Sequence, residues 1–240
     1  WGVNFTYLIV CFLVLTGLFS IVLIASKPIP EITEKQSLAD SLTAGIKFVF
    51  KNQVILGALS LDLFAVLFGG AVALLPIFAD EILHVGPKGL GFLRAAPAIG
   101  AVIMSGFMAF NPGLKRAGRN LLVCVGAFGL CMIFFGISTN FYLSAILLAL
   151  SGMFDNVSVV IRSTIMQTMT PDNMRGRVSA VNSIFIGSSN EIGAFESGVV
   201  AKLMGVVPSV IFGGSMTLLV VFFTSVKAKK LRNLDLTTIG

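Results

Sequence analysis

Long apolar stretches separated by short polar ones make up most of this chain. Residues 3–26, 121–138 and 206–226 contain no charged side chain. Because a helix rises 1.5 Å per residue, about 20 apolar residues cross the hydrocarbon core of a bilayer. The pattern therefore predicts an all-α fold, a polytopic membrane helix bundle. Its seven predicted transmembrane helices are 3–26, 54–78, 89–110, 120–139, 141–166, 179–202 and 206–226.

Composition supports this class. Of the 240 residues, 56% are hydrophobic and 12% are charged, whereas soluble domains carry about 25% charged residues. The sequence shows no phosphate-binding loop, no metal-ligand cluster and no nucleophile–base set, so we expect neither a cofactor nor a metal, and we do not expect an enzyme. The chain begins with Trp1 in the middle of an apolar stretch, which predicts a fragment of a longer protein.

Thirteen Lys and Arg residues fall in connectors at alternate ends of the predicted helices, so they share one side of the membrane, whereas Lys88 and Lys202 fall at the opposite ends. Cytoplasmic loops hold an excess of positive charge, which predicts a cytoplasmic C-terminus. We expect a peripheral helix (1–26), a cytoplasmic linker (27–53), a six-helix unit (54–226) and a basic tail (227–240). Residues 37–51 have one apolar face and predict an amphipathic helix at the interface, or an extension of the second span. No basic stripe lies in a soluble domain, so we expect no nucleic-acid partner.

Six charged residues lie inside the predicted spans, besides Lys202 at the end of the sixth span. Each costs about 2.5–3.5 kcal/mol near the bilayer centre on insertion scales, so they must face one another or water. Over the last six spans the order is charged, charged, bare, repeated once, which predicts two three-helix repeats. The four charged helices then surround a polar interior. The six are Asp62, Arg94, Asp155, Arg162, Glu191 and Glu196.

Asp155 and Arg162 are about two helical turns apart and share one face. The sixth span carries a small, polar stripe that permits close helix approach, formed by Ser183, Gly187, Asn190, Glu191, Ala194, Ser197 and Gly198. Helix breakers at Gly69, Gly70, Pro76 and Pro97 indicate either a cavity wall or close packing. The alternative for all six charges is that they are buried pairs that only fix helix packing.

Three stretches resemble a known family. Residues 61–83, 89–101 and especially 166–183 are similar to the C-terminal half, helices six to twelve, of major facilitator superfamily transporters, in the enterobactin-exporter-like branch of bacterial permeases. The branch's cytoplasmic Pro…Arg-Gly-Arg loop is matched by Pro171, Arg175, Gly176 and Arg177. A degenerate copy of the superfamily loop is matched by Arg116, Gly118 and Arg119, with Asn111 and Lys115 in place of its Gly and Asp.

The resemblance implies a secondary active transporter of a bacterial inner membrane, with proton-coupled efflux of a small organic molecule such as a siderophore or drug by alternating access. Its partners would be membrane lipid, that substrate and a missing N-terminal half. We expect Asp155 and Glu191 to be the leading coupling carboxylates and Asp62 a further one. Arg162, Arg94, Asn190 and Glu196 are candidates for the substrate cavity or for charge pairs. A non-transporting scaffold or receptor-like half, and movement of a lipid substrate, remain alternatives.

Overall fold

The computed structural model describes residues 3–24, 37–69, 71–110 and 116–235. Expectations about residues 25–36, Gly70, Asn111, Lys115 and the last five residues lie outside these ranges. The chain divides into two compact units, 1–37 and 38–240. The first contains helix α1, Val3–Val22, which is apolar on all sides.

The second unit is a bundle of helices. Within the described residues, six stretches are long and apolar enough to cross a membrane: Asn4–Val22 in the first unit, and Gln53–Ile82, Gly86–Phe110, Ala117–Ile137, Phe141–Met169 and Val206–Lys227 in the bundle. The predicted span 179–202 lies in a 30-residue helix, about 45 Å long, whose many Ser, Asn and Glu side chains make it less apolar than the others. The bundle helices are α2 (Leu38–Lys51), α3 (Gln53–Gly69), α4 (Leu75–Ile77), α5 (Gly86–Phe110), α6 (Ala117–Ile137), α7 (Phe141–Met169), α8 (Arg175–Met204), α9 (Val206–Lys227) and α10 (Lys229–Arg232).

The second span is interrupted where the helix breakers predict it. Helix α3 ends at Gly69, and after Gly70 the chain continues as a 3-10 turn over Ala71–Leu74, the short α4 and a π-helical turn over Phe78–Ile82. Pro76 lies in α4, where its missing N–H prevents a regular α-helical hydrogen bond. Pro97 lies inside α5.

Helix α2 is separate from α3 because Asn52 caps α3. The Asn52 Oδ1 atom accepts hydrogen bonds from the amides of Val54 and Ile55, at 3.1 and 3.2 Å, as N-cap side chains do. The predicted amphipathic helix is thus a helix of its own.

The face of α2 that packs on the bundle differs from its most apolar face. Gly45 lies against the backbone of Arg177 at the start of α8, and Val49 is fully buried. Leu42, Ile46 and Phe50 are 37%, 42% and 58% exposed. The exposed apolar face is available to a bilayer interface, and that location stays a prediction.

The contacts between helices follow the predicted repeat of α3, α5, α6 and α7, α8, α9. Helix α5 packs on α7 as α8 packs on α3. Helix α6 packs on α7 as α9 packs on α3, and α6 also packs on α9. These main contacts are therefore retained when the two triplets are exchanged, as expected if each triplet is one structural repeat, whereas the packing of α8 on α9 and of α3 on α6 has no equivalent of similar extent.

Glycines allow the closest of these contacts. A Cβ atom added at Gly100 of α5 would overlap the carbonyl oxygen of Ala149 on α7, and one added at Gly152 of α7 would overlap that of Pro97 on α5. Only a residue without a side chain permits such backbone contact.

Two apolar clusters occupy opposite ends of the bundle. One includes Val49, Leu121, Ile165 and Leu231, and the other includes Leu75, Phe78, Phe135, Leu148 and Val210. Leu231 of α10 lies against Gly57 at the start of α3 and Gly118 at the start of α6. The basic segments next to these residues therefore share one end of the bundle, and the assignment of that end to the cytoplasm stays a prediction.

We expect Gly152→Ala to lower the melting temperature of the detergent-solubilised protein. The added methyl group meets backbone that cannot move aside, and overpacking of this kind costs about 1–3 kcal/mol. Gly106→Ala on α5 is the matched control, because no atom of another described residue lies within 4 Å of its added Cβ. Equal melting temperatures for the two variants would contradict the packing described for α5 and α7.

Candidate functional site

A cavity of about 480 Å³ opens between α3, α5, α7 and α8, with α6 as its floor. Its polar wall brings together Arg94, Ser151, Asp155 and Asn190, and its apolar wall consists of Val66, Val72, Pro97, Phe128, Met132 and Leu148 with neighbouring small residues. The four helices with predicted interior charges are thus the four that enclose this cavity. The charge-free α6 also reaches it, which the charge pattern did not indicate.

Asp155 lies at the middle of the 29-residue α7, one turn after Gly152. Because Gly152 holds the backbones of α7 and α5 in contact, the next turn presents Asp155 beside α5, where Arg94 lines the same cavity. Both side chains are exposed to the cavity, and neither takes part in an ion pair within the described parts of the chain. Opposite charges on one cavity wall are therefore available to a ligand or to water.

Asp62 and Arg162 form a buried ion pair between α3 and α7. The guanidinium Nη1 of Arg162 contacts Oδ1 of Asp62, and the two residues are only 4% and 7% exposed, respectively. The sequence left Arg162 as a candidate either for a charge pair or for the substrate cavity, and the structure pairs it with Asp62, not with Asp155. The Nε atom of Arg162 is buried and has no hydrogen-bond partner among the described residues.

A second, much smaller cavity of about 10 Å³ connects these two sets of charges. Asp62, Asp155 and Ser158 line it, together with Val66 and Phe128 of the large cavity. The Ser158 hydroxyl is buried and has no hydrogen-bond partner within the described residues. Asp155 therefore stands between the large cavity and the interior ion pair.

The residues of α8 separate onto different sides. Asn190 and Ala194 face the cavity, whereas Gly193 lies against Leu67 of α3, and the backbone of Ser197 accepts a hydrogen bond from Ser209 of α9 at 3.2 Å. The predicted stripe thus serves two surfaces, one for packing and one for the cavity.

The two acidic residues of α8 lie away from the cavity lining. Glu191 is exposed, and Glu196 is half-buried beside the buried Ser197. Glu191 takes part in no ion pair among the described residues. The geometry brings Arg94, Asp155 and Asn190 into one cavity and leaves both glutamates outside it.

The loop between α7 and α8 is held by its own residues. Pro171 precedes the 3-10 turn Asp172–Met174, which leads into α8. Arg175 pairs with Asp172 at 3.0 Å and donates a hydrogen bond to the Gln167 carbonyl at 3.4 Å. The Arg177 guanidinium donates to the Met174 sulfur at 3.6 Å, and Gly176 has open space on its Cβ side.

The loop motif before α6 contacts the C-terminal segment of the chain through Gly118. Gly118 lies against the backbone of Leu231, and its amide donates to the Leu234 carbonyl at 3.3 Å. Arg116 and Arg119 flank it and are exposed. The glycine of this motif therefore joins the tail segment to α6.

Sequence reasoning missed Ser151, Ser158, Phe128 and Met132. Ser158 had a usable signal, because it lies three residues after Asp155 and four before Arg162 and so shares their helical face. Phe128 and Met132 of α6 had no usable signal in the sequence, because apolar side chains that face lipid cannot be distinguished by sequence from those that line a cavity.

A charge-lined cavity between membrane-length helices is a feature of multi-pass membrane transporters. Residues 1–238 match the model of the transmembrane secretion effector family, and the chain belongs to this family of the major facilitator superfamily. The resemblance predicted from the sequence is confirmed.

Three relatives illustrate the match. The chain is 32% identical over 174 residues to the enterobactin exporter EntS of Escherichia coli O1:K1, covering 70% of this chain and 40% of that protein. The corresponding exporter of Shigella flexneri is 31% identical over the same length and coverage. The uncharacterized MFS-type transporter YfmI of Bacillus subtilis is 27% identical over 219 residues, covering 85% of this chain and 53% of that protein. The chain thus spans about half the length of these relatives, and no solved structure matches it.

We expect Asp62→Asn to destabilise the protein strongly, because it leaves the buried Arg162 without a counter-charge. Breaking a buried ion pair in this way costs about 3–5 kcal/mol. The free energy of unfolding in mixed micelles measures the effect, and the double variant Asp62→Asn/Arg162→Met should recover most of it. Asp172→Asn, which removes an exposed ion pair, should cost about 0–1 kcal/mol. Equal losses for Asp62→Asn and Asp172→Asn would refute a buried pair.

Proposed function

We propose that this chain is the C-terminal half of a secondary active transporter that exports a small organic molecule in exchange for protons. The observation that most supports the proposal is the cavity enclosed by the four charge-bearing helices. Sites of secondary transporters lie near the midplane of the membrane between structural repeats. Asp155 and Asn190 both line the cavity from the middle of their helices.

The lining of the cavity favours an amphiphilic substrate. Arg94 offers a positive charge to an acidic or strongly hydrogen-bonding group, and Phe128, Met132 and Leu148 offer apolar surface to the rest of the molecule. A volume of about 480 Å³ falls within the usual range for ligand pockets. Together with the exporters named among its relatives, this supports a siderophore or a drug-like compound.

Glu191 supports the presence of a second half. A carboxylate that faces lipid near the bilayer centre is costly, yet Glu191 is exposed near the middle of α8, beside the exposed Ile192 and Phe195. We propose that an N-terminal half covers this face and that rocking of the halves alternates access to the cavity. Residues 1–26 are then a peripheral helix of the preceding half, 27–53 a cytoplasmic linker, 54–226 the six-helix half and 227–240 a cytoplasmic tail, in a bacterial inner membrane.

Asp155 is the proposed coupling carboxylate. The charged residues around it are Arg94 of α5, which lines the same large cavity, Asp62 of α3, which lines the same small cavity, and Arg162, two turns further along α7. Helix α6 contributes Phe128 and α8 contributes Asn190. Proton binding would remove the one carboxylate charge on the large cavity's lining, and proton release would restore it. Substrate and proton would then bind in turn at Asp155 in the large cavity.

The small cavity provides a route from Asp155 to the ion pair. Its volume of about 10 Å³ is close to the space one water molecule needs. A water there would have Ser158 and both carboxylates as hydrogen-bonding partners. A proton leaving the Asp155 carboxyl could reach Asp62 through it, weakening the hold of Asp62 on Arg162. Asp62 is accordingly the second coupling candidate, and Glu191 stays a candidate at the face toward the other half.

We expect Asp155→Asn to abolish accumulation driven by a pH gradient while leaving exchange of substrate across the membrane intact, because asparagine accepts no proton. The complete reading frame containing this chain is expressed, and everted vesicles are assayed with enterobactin and a panel of lipophilic drugs as probes. Asp172→Asn, which removes a carboxylate outside the membrane, is the control and should retain accumulation.

Three results would contradict the proposal. Accumulation by Asp155→Asn with unchanged pH dependence would remove Asp155 from the coupling step, and Glu191→Gln would then be assayed in the same way. A wild-type protein that moves none of the probes, although substitutions alter its folding or partner binding, would favour the scaffold or receptor-like function. Movement of fluorescent phospholipid by the wild type would favour a lipid substrate.

A further inference from the structure

Three arginines from distant parts of the sequence converge at the basic end of the bundle. Arg116 and Arg119 at the start of α6, together with Arg232 of α10, line a cavity of about 630 Å³. Ser225 of α9 and Asp235 of the tail also line it. One carboxylate against three guanidinium groups leaves a clear excess of positive charge.

The cavity is a built feature of the fold. Leu231 of α10 is fully buried in the apolar cluster at this end, and Gly118 accepts the tail so closely that a Cβ atom there would overlap the Leu231 carbonyl oxygen. The Arg232 guanidinium donates a hydrogen bond to the Ser225 carbonyl at 3.4 Å. These contacts hold Arg232 opposite the start of α6.

Arg116 precedes α6, and Arg119 lies in its first turn. Neither Arg116 nor Arg119 forms an ion pair within the residues that the structure describes. Arg116 also adopts a φ of 60°, in the left-handed region that residues other than glycine seldom occupy. Guanidinium groups bind phosphate through paired, charge-assisted hydrogen bonds, so this cluster matches a phosphate-bearing ligand.

The surface next to the cavity indicates which phosphate compound fits. Leu122 and Val123 of α6 form its apolar edge, and Val123 is 60% exposed. The adjoining face of α9 exposes Phe222 and Val226. Both helices belong to the charge-free class expected to face lipid. A charged cavity at the end of two apolar helices has the polarity of one phospholipid, with its headgroup above and acyl chains alongside.

We propose that Arg116, Arg119 and Arg232 bind the headgroup of an anionic phospholipid, with its acyl chains along α6 and α9. Basic pockets between transmembrane helices on the cytoplasmic side are suited to such headgroups, and the positive-inside rule places this end there. The site lies apart from the Asp155 cavity, so it does not depend on the transport proposal.

The test measures lipid binding, not transport. The complete protein is purified in detergent, and its melting temperature is followed while cardiolipin, phosphatidylglycerol, phosphatidylcholine or inorganic phosphate is added. Cardiolipin and phosphatidylglycerol should raise the melting temperature, while the zwitterionic lipid and free phosphate should not. Arg116→Gln/Arg119→Gln should weaken the apparent affinity for cardiolipin roughly tenfold or more, the loss expected when charge-assisted hydrogen bonds are removed.

Matched variants separate this site from general attraction to a basic surface. Lys229→Gln/Lys230→Gln removes the same charge from exposed tail positions that do not line the cavity, and it should leave the affinity unchanged. Arg119→Lys keeps the charge but loses the paired hydrogen bonds, so we expect an intermediate affinity. This conservative single variant also shows whether the loss in the double variant is due to misfolding.

Three outcomes would overturn the proposal. Equal losses for the arginine and lysine variants would show non-specific electrostatic binding. Stabilisation by inorganic phosphate alone would identify a free-anion site, and equal stabilisation by phosphatidylcholine would remove the role of headgroup charge.

Discussion

The low polarity of the hydrocarbon core is the constraint on which the arrangement of this bundle depends. A charged side chain in such a medium needs a partner or water, and Asp62 and Arg162 satisfy one another between α3 and α7. Their pairing decides which faces of these helices meet. Since Asp155 shares the helical face of Arg162, the same pairing turns Asp155 toward the interior, where it lines both the large and the small cavity.

Backbone contact at glycines converts this orientation into a site. Gly100 and Gly152 bring α5 and α7 together, so Arg94 and Asp155 open onto one cavity from neighbouring helices. Gly193 brings α8 against α3 in the matching position of the other repeat, and the same helix presents Asn190 to the cavity. The repeated packing thus places polar groups from both triplets around one space, which is what a transporter needs if its two repeats are to share a substrate.

The end of the bundle that carries the basic segments has its own organisation. Buried Leu231 joins α10 to α3 and α6, while Asp172 and Arg175 hold the loop before α8. Charged residues at this end remain near the bundle surface, where water or lipid headgroups solvate them. Of the charged residues within the long helices, Asp62 and Arg162 are paired inside, and Arg94 and Asp155 line the cavity. Glu191 and Glu196 lie outside it, and the exposure of Glu191 favours a covering half.

The sequence by itself determined the helical class, the limits of the helices to within a few residues, the interruption after Gly69 and the presence of interior charges, because apolar length and helical period are local properties. It also indicated α3, α5, α7 and α8 as helices around the cavity, although it did not indicate α6. Only the tertiary structure decided that Arg162 pairs with Asp62, that Asp155 and Arg94 share a cavity without pairing, and that α6 supplies its floor. The spacing of residues along a helix defines which side chains share a face, but not which helix that face meets. Asp62 and Arg162 lie far apart in the chain, so their contact depends on how the helices rotate as they pack.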